Sequence, residues 1–524
     1  MISIKENIEK GTALNKDVSK FNQNVVQHFY NQEKLMPFRT AIVEKGKSIS
    51  YIELKREVLK TVQYFQAKGI AKGDRVLVFV PVSISLYRIV LALFHIGATA
   101  VFLDEWSSKD RLRKACEIAD CKAFVGNWKA KAMAMLMRPL REIPIWLSAR
   151  RMGSLAERTM PVEVSSSDAA LITFTTGSTG IPKAADRTHH FLNAQRAVLS
   201  QKLAPKSGMV DMAALPIFVL LNLGDGLTSI LPDANMRKQT SINIEKIIAQ
   251  LKENKVVRII ASPFLIKGIA EYVIKQKIKL PLLCEVYTGG APIFPNDAAL
   301  FMEAFGEIRL EAVYGSTEAE PISSIPMQEL SQSEIVSGLP VGIISESTDL
   351  KIISYQDSPI VGSDLTTLEI ATGEVGEIIV SGEHVLKAYV NNPEAILRNK
   401  IDHQGTIWHR TGDAGYVDGN GQLFLVGRCS QLIYRNEKLY SPFLYEYLLQ
   451  KIDGVSLGTI MMIDDQLYVV LESKHKIVQE ALQNIFENQE VKIIYVDKIP
   501  RDPRHQSKID YQKLKKINRS ALTI

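Results

Sequence analysis

The stretch Leu171-Ile-Thr-Phe-Thr-Thr-Gly-Ser-Thr-Gly-Ile-Pro-Lys183 passes from an apolar, β-branched run to hydroxyls and glycines and then to a lysine. The first part reads as a buried strand and the rest as a loop through which bare backbone can approach an anion. Gly177 and Gly180 permit tight curvature, Thr175, Thr176, Ser178 and Thr179 offer hydroxyl and amide donors, and Lys183 supplies a cation. The loop has the outline of a phosphate cradle, although a Ser/Thr-rich turn between two elements accounts for the same residues. It is not a Walker A loop, because Pro182 rather than Gly precedes the lysine and Ala184 rather than a hydroxyl follows it.

Outward from this stretch the chain alternates short Val/Ile/Phe-rich runs with longer amphipathic segments, the pattern of parallel strands joined by helices. Residues 75–80, 98–103, 210–216, 256–262 and 282–287 are predicted strands, and 83–95, 111–119, 244–254 and 264–276 predicted helices. The fold class is therefore α/β. After Ser337 the texture changes to short strands and turns, with Gly373-Glu-Val-Gly376 and Asp418-Gly-Asn-Gly421 as turn signals, so a β-rich subdomain is expected there. The 96 residues beyond Arg428 carry their own strand and helix signals, at 458–463, 466–471, 477–487 and 491–496, enough for a small α+β domain. The expected division is thus a large domain of residues 1–428 and a small α+β domain of residues 429–524.

The chain has 524 residues, of which 46% are hydrophobic and 23% charged. That balance excludes disordered, collagen-like and disulfide-scaffold classes. With 63 Lys and Arg against 57 Asp and Glu the net charge is +6, read here as a mild excess spread over the chain apart from the tail at 513–516. It is too thin to argue for nucleic acid. Cys116, Cys121, Cys284 and Cys429 form no CxxC pair, so neither a zinc site nor a disulfide framework is indicated and a reducing compartment is expected. The first twenty residues mix Lys, Glu, Asn and Asp without an apolar core, arguing against a secretory signal. The longest apolar run, 89–103, is too short to span a bilayer and reads as a buried helix leading into a strand. A cytoplasmic location follows as the expectation.

Thr175-Thr-Gly-Ser-Thr-Gly-Ile-Pro-Lys183 resembles the signature loop of the AMP-forming, adenylate-forming superfamily of acyl-CoA synthetases, adenylation domains and luciferases. Further motifs follow in the superfamily's order, so the resemblance covers about residues 20 to 515. Tyr287-Thr-Gly-Gly-Ala-Pro292 resembles the segment beside adenine, implying a role for Gly289, Gly290 and Ala291. Val313-Tyr-Gly-Ser-Thr-Glu318 matches the superfamily's YGxTE motif, which adds Tyr314 to the nucleotide-binding set and implies that Thr317 contacts phosphate and Glu318 helps to hold Mg2+. A carboxylate beside a triphosphate makes sense if a hard cation intervenes. Trp408-His-Arg-Thr-Gly-Asp413 resembles the TGD motif, implying that Asp413 accepts hydrogen bonds from both ribose hydroxyls, while Asp418 serves a hairpin turn. Gly427-Arg428 resembles the ribose-contacting arginine at the domain junction, with the hinge at Ser430 or Gln431. Lys508, in the segment beginning Ile499-Pro-Arg-Asp, stands where the superfamily's lysine binds the reacting carboxylate and α-phosphate.

These likenesses imply ATP and Mg2+ as cofactors, a small-molecule carboxylic acid as substrate, and the formation of an acyl-adenylate with release of pyrophosphate. Fatty or 3-hydroxy fatty acids are favoured by analogy. The acceptor of the acyl group stays open among coenzyme A, a carrier protein and the substrate's own hydroxyl. Gln431 and Tyr434 stand where the superfamily usually has Asp and Lys, Glu437 stands where thioester-forming members have Gly, and Arg504-His505, Ser507 and Val219 resemble olefin-pathway β-lactone synthetases. A catalytically inactive nucleotide-binding protein of the same fold is the remaining alternative. No nucleic-acid partner and no transmembrane segment are expected.

Overall fold

The computed structural model describes residues 23–103, 109–154, 160–176, 182–235, 241–362, 364–435, 438–473, 482, 485–486, 491–501 and 509–521. The chain divides into two compact units, one of residues 1–231 with 383–396, the other of residues 232–382 with 397–524.

In the first unit, a six-stranded sheet is built in the order Ile145–Ser148, Ala123–Gly126, Arg75–Phe79, Thr99–Phe102, Ala169–Thr176, Pro182–Thr188. Its pairs are parallel except the last, in which Ala169–Thr176 runs antiparallel to Pro182–Thr188. The parallel strands are apolar on both faces because helices cover them. Leu77, Val101, Phe124, Ile172 and Ala184 form the core here with Leu112 and Ala115 of the helix Lys109–Ala119. The long apolar run resolves into a buried helix, Ile84–Ile96, and the strand Thr99–Phe102. Gly97 separates them with a φ of 75°, a left-handed conformation that costs glycine nothing and ends the helix. The predicted strand at 210–216 stops at Ala213, because Pro216 opens the helix Pro216–Asp225, where a proline's missing N–H is harmless. Val219 of that helix is fully buried.

In the second unit a mixed sheet begins with the parallel strands Arg258–Ala261, Glu285–Gly289 and Arg309–Ser316. It continues antiparallel through Ala319–Pro326, Leu339–Ile344, Gln422–Arg428, Thr406–Val417, Gly376–Ser381 and Asp349–Ile353. The β-rich texture after Ser337 is this antiparallel half. Asp418 does serve a turn: its backbone N–H donates to Gln422 O at 3.0 Å, and its carboxylate accepts from the backbone N–H of Asn420 and Gln422 at 2.9 and 2.8 Å. Beyond it, the strands Val455–Ile463, Gln466–Ser473 and Lys492–Val496 pack on the helix Pro442–Gln450 around Tyr445, Leu449, Val469 and Phe486. Most of the predicted 477–487 segment lies outside the described residues.

Candidate active site

In the first unit the proposed cradle is bounded by an antiparallel pair of strands. Thr176 lies opposite Pro182 and Thr175 opposite Lys183, so residues 177–181 connect two paired strands. Gly177, Ser178, Thr179 and Gly180 themselves lie outside the described residues, as do the side chains of Thr175 and Thr176. The Lys183 ammonium sits 5.3 Å from the centre of the Tyr389 ring, whose negative face attracts a cation. Tyr389 is held there because residues 388–390 run beside the returning strand: Val390 N–H donates to Ala184 O at 2.9 Å, and Ala185 bridges Tyr389. Ala184 is completely buried, so its methyl is part of the core beneath the lysine.

The second unit brings three of the anticipated residues into one hydrogen-bonded group. Asp413 and Arg428 stand opposite each other on adjacent antiparallel strands. Arg428 Nη1 donates to Asp413 Oδ1 at 3.0 Å and to Thr411 O at 2.8 Å. On the other side of the carboxylate, Tyr314 Oη donates to Asp413 Oδ2 at 2.8 Å. Burial, and then the negative charge of Asp413, push the Tyr314 phenol well above its ordinary value, so it remains a donor. The backbone N–H of Asp413 donates to Thr411 Oγ1 at 3.0 Å. Both carboxylate oxygens are thus oriented by protein donors, yet each keeps a lone pair for a further hydrogen bond.

Tyr314 also connects this group to the edge where the parallel strands end. Gly289 closes its strand opposite Val313, and a Cβ there would lie 2.3 Å from Val313 O, so the close approach of the two backbones needs glycine. Gly290 follows at φ 87° and Ala291 comes next, partly buried. Ser316 pairs with Ala319, leaving Thr317 and Glu318 as the two-residue tip of a hairpin. Glu318 is only 7% exposed, its N–H donates to Ser316 Oγ at 3.2 Å, and its charge acts on Arg428. Lys508 lies outside the described residues, as does Glu437. Ser430 and Gln431 belong to a short 3-10 turn, Cys429–Gln431, directly after Arg428.

One supporting pair escaped the sequence reading. Arg410 donates from Nε and Nη2 to Glu377 Oε2 at 2.9 and 2.6 Å, with both side chains buried, and its Nη1 reaches Ser358 O at 2.9 Å. It braces the strand that carries Asp413 three residues later. Arg410 is inside the quoted Trp408–Asp413 motif, which was the available signal, but its partner is 33 residues away.

A family model described as AMP-binding enzyme matches residues 29–390, more than half of the chain. The olefin β-lactone synthetase of Stenotrophomonas maltophilia is 28% identical over 388 residues, covering 70% of this chain and 69% of that protein. The putative acyl–CoA ligase YdaB of Bacillus subtilis is 26% identical over 447 residues, covering 82% and 84%. Among solved structures, O-succinylbenzoate coenzyme A synthetase of Bacillus subtilis, in complex with ATP and magnesium ion, superposes with a TM-score of 0.77 at 19% identity, covering 93% of this chain and 99% of that one. The chain belongs to the AMP-binding enzyme family, the adenylate-forming acid ligases.

Proposed function

We propose that the protein uses ATP and Mg2+ to activate a 3-hydroxy fatty acid as its acyl-adenylate, and that the substrate's own 3-hydroxyl then displaces AMP to close a β-lactone. The observation that carries the nucleotide half of this reading is the doubly braced Asp413 carboxylate. Its free lone pairs suit the two donors of a ribose diol, and charge-assisted hydrogen bonds of this kind are worth about 1.5–3 kcal/mol each. Arg428 and Tyr314 fix both oxygens in place for that purpose.

A carboxylate and a triphosphate repel, so the chain's task is to neutralise and to align. Lys183 and Lys508 would disperse charge on the phosphates, while the backbone amides of residues 177–180 donate to them. Glu318 fits Mg2+, a hard cation that takes one or two protein carboxylates together with substrate phosphates: it offers a largely buried carboxylate at a hairpin tip. When bound, the ion withdraws charge from the leaving pyrophosphate. An oxygen of the acid attacks the α-phosphorus, the bond to the β-phosphate breaks, and pyrophosphate departs with the electron pair. In the second step the hydroxyl oxygen attacks the acyl carbon, AMP leaves, and the hydroxyl proton is lost to solvent. Residues 429–524 serve as the lid that carries Lys508 in and out between the two steps, turning at Ser430 or Gln431.

Likeness to the olefin β-lactone synthetase supports the intramolecular acceptor. Likeness to the putative acyl–CoA ligase supports a second reading, in which the thiol of coenzyme A or of a carrier protein accepts the acyl group. Mass spectrometry of products from ATP, Mg2+ and a panel of fatty and 3-hydroxy fatty acids, with and without coenzyme A, separates them. A lactone formed without coenzyme A is the expected product. A thioester would replace the first reading by the second, and no ATP-dependent pyrophosphate release with any acid would leave an inactive nucleotide-binding protein.

A further inference from the structure

The chain's small positive charge is not evenly spread, contrary to the reading from composition. Residues 128–152 hold six of the 63 Lys and Arg residues, at 129, 131, 138, 141, 150 and 151, and only one of the 57 Asp and Glu, so five of the net six positive charges lie in this stretch. The one acid, Glu142, is taken by Arg138 at 2.8 Å. Lys131 and Arg151 are close enough that Arg151 adds to the burial that lowers the Lys131 ammonium, which brings the cations on either side of residues 132–150 together in space.

Apolar side chains project from the same place. In the helix Trp128–Met135, Ala130 and Ala134 face the core. At 3.6 residues per turn, Trp128, Ala132, Met135 and the capping residue Leu136 then share the opposite face, at i, i+4, i+7 and i+8. Trp128 is 66% exposed, Met135 57% and Leu136 88%. Lys129 and Lys131 flank this stripe on either side, and the Lys129 ammonium lies 5.5 Å from the centre of the Trp128 ring. Arg138, Arg141, Arg150, Arg151 and Met152 are exposed beside it.

We propose that this face seats the protein on an anionic lipid surface. An exposed tryptophan and long apolar side chains among lysines and arginines suit the membrane interface, apolar groups at the acyl boundary and cations among the headgroups. Two turns of helix bury too little apolar surface to hold a protein alone, so anionic headgroups supply the second attraction, and the clustered like charges that repel one another here are relieved by them. Protein interfaces are instead depleted of lysine at their centre. Among the described residues no helix is long and apolar enough to cross a membrane, so the contact is peripheral.

Co-sedimentation of the intact protein with vesicles of phosphatidylcholine, and of phosphatidylcholine with about a third phosphatidylglycerol, tests this. Binding is expected to the anionic vesicles, weakening as salt is raised. Each cation neutralised should weaken it about fivefold, so Lys129→Gln, Lys131→Gln and Arg151→Gln together should weaken it roughly a hundredfold. Trp128→Ser with Leu136→Ser should also release the protein, without altering acid-dependent pyrophosphate release in solution. Equal binding to neutral vesicles, binding that survives both sets of substitutions, or affinity for an acidic carrier protein in place of vesicles would overturn the proposal. Sedimentation requires no turnover, so its outcome is independent of the reading of the active site.

Discussion

Replacing Asp413 by Asn removes a charge from the nucleotide site while keeping its shape. In the native arrangement Oδ1 faces the Arg428 guanidinium at 3.0 Å and Oδ2 the Tyr314 hydroxyl at 2.8 Å. An asparagine can keep its oxygen toward Arg428 and turn its amide toward Tyr314, whose hydroxyl then accepts instead of donating. The fold is spared, but one of two acceptors for the ribose diol becomes a donor. The loss of one charge-assisted hydrogen bond, about 1.5–3 kcal/mol, corresponds to a roughly 10- to 150-fold weaker hold on ATP. The ribose is remote from the reacting phosphorus and is held equally in ground and transition states, so KM for ATP should rise while kcat changes little. ATP–pyrophosphate exchange over a range of ATP concentrations measures both constants, and calorimetric titration with nucleotide measures affinity without turnover. Thermal unfolding checks that the variant remains folded. Nucleotide affinity unchanged within about threefold, or a collapse of kcat at unchanged KM, would refute the assignment of Asp413 to the ribose.

Lys508→Ala should lower adenylation, read as pyrophosphate exchange, by roughly 10²–10³, the scale for losing one preorganised electrostatic partner; an unchanged rate would remove Lys508 from the mechanism. Arg410→Ala should destabilise the second unit by about 3–5 kcal/mol in urea unfolding, because it strands the buried Glu377 carboxylate. Glu446, buried beside Tyr511 and Thr459, is raised by burial from 4.5 to about 7, with Tyr511 Oη donating to it at 2.5 Å. Because its folded value lies above its unfolded one, the stability it contributes is fully present below about pH 4.5 and lost as pH rises through about 7. Glu446→Gln keeps the acceptor without the charge, so its unfolding midpoint should fall less than the parent's between about pH 5 and about pH 8, a difference of roughly 3 kcal/mol; parallel pH profiles would show that Glu446 is not the titrating group.

The sequence disclosed motifs better than it disclosed partners. Alternating apolar runs marked the α/β rhythm because a strand buried on both faces has no polar side to show, and Gly97 inside an apolar run already carried the break between helix and strand. Asp413 stood out in its motif, but nothing local says that Tyr314, 99 residues earlier, holds one of its oxygens. It is a long-range pairing of side chains from strands that the sheet order keeps apart, with Ala319–Pro326, Leu339–Ile344 and Gln422–Arg428 between them. The same long-range pairing returns residues 383–396 to the first unit: residues 388–390 find hydrogen bonds along 184–186, where a division drawn in chain order cannot see them. The cationic face was hidden for a different reason. Apart from the adjacent Arg150 and Arg151 its charges are spaced out along the chain, and in the helix Trp128–Met135 the turn is what sets Lys129 and Lys131 on either side of the apolar residues.

The proposed nucleotide residues and the positions that bear on the acyl acceptor sit in different physical settings, which accounts for how legible each was. Asp413 is braced from two sides, Gly289 admits no side chain, and Glu318 is tucked into a two-residue turn, so each is tied to backbone that the sheet already fixes. A change at any of them costs packing or hydrogen bonds as well as nucleotide, and the motifs therefore read clearly in the sequence. Tyr434, standing where the superfamily's lysine is expected, is 66% exposed on a short two-stranded ribbon, Ile433–Arg435 with Lys438–Tyr440. Substitution at such a surface usually stays within about 0.5 kcal/mol of neutral. The adenylating half should therefore tolerate change there, and a Tyr434→Lys exchange is expected to leave pyrophosphate exchange unaltered whichever group accepts the acyl chain. If that exchange slowed pyrophosphate exchange itself, the two halves of the reaction would share residues and this separation would fail.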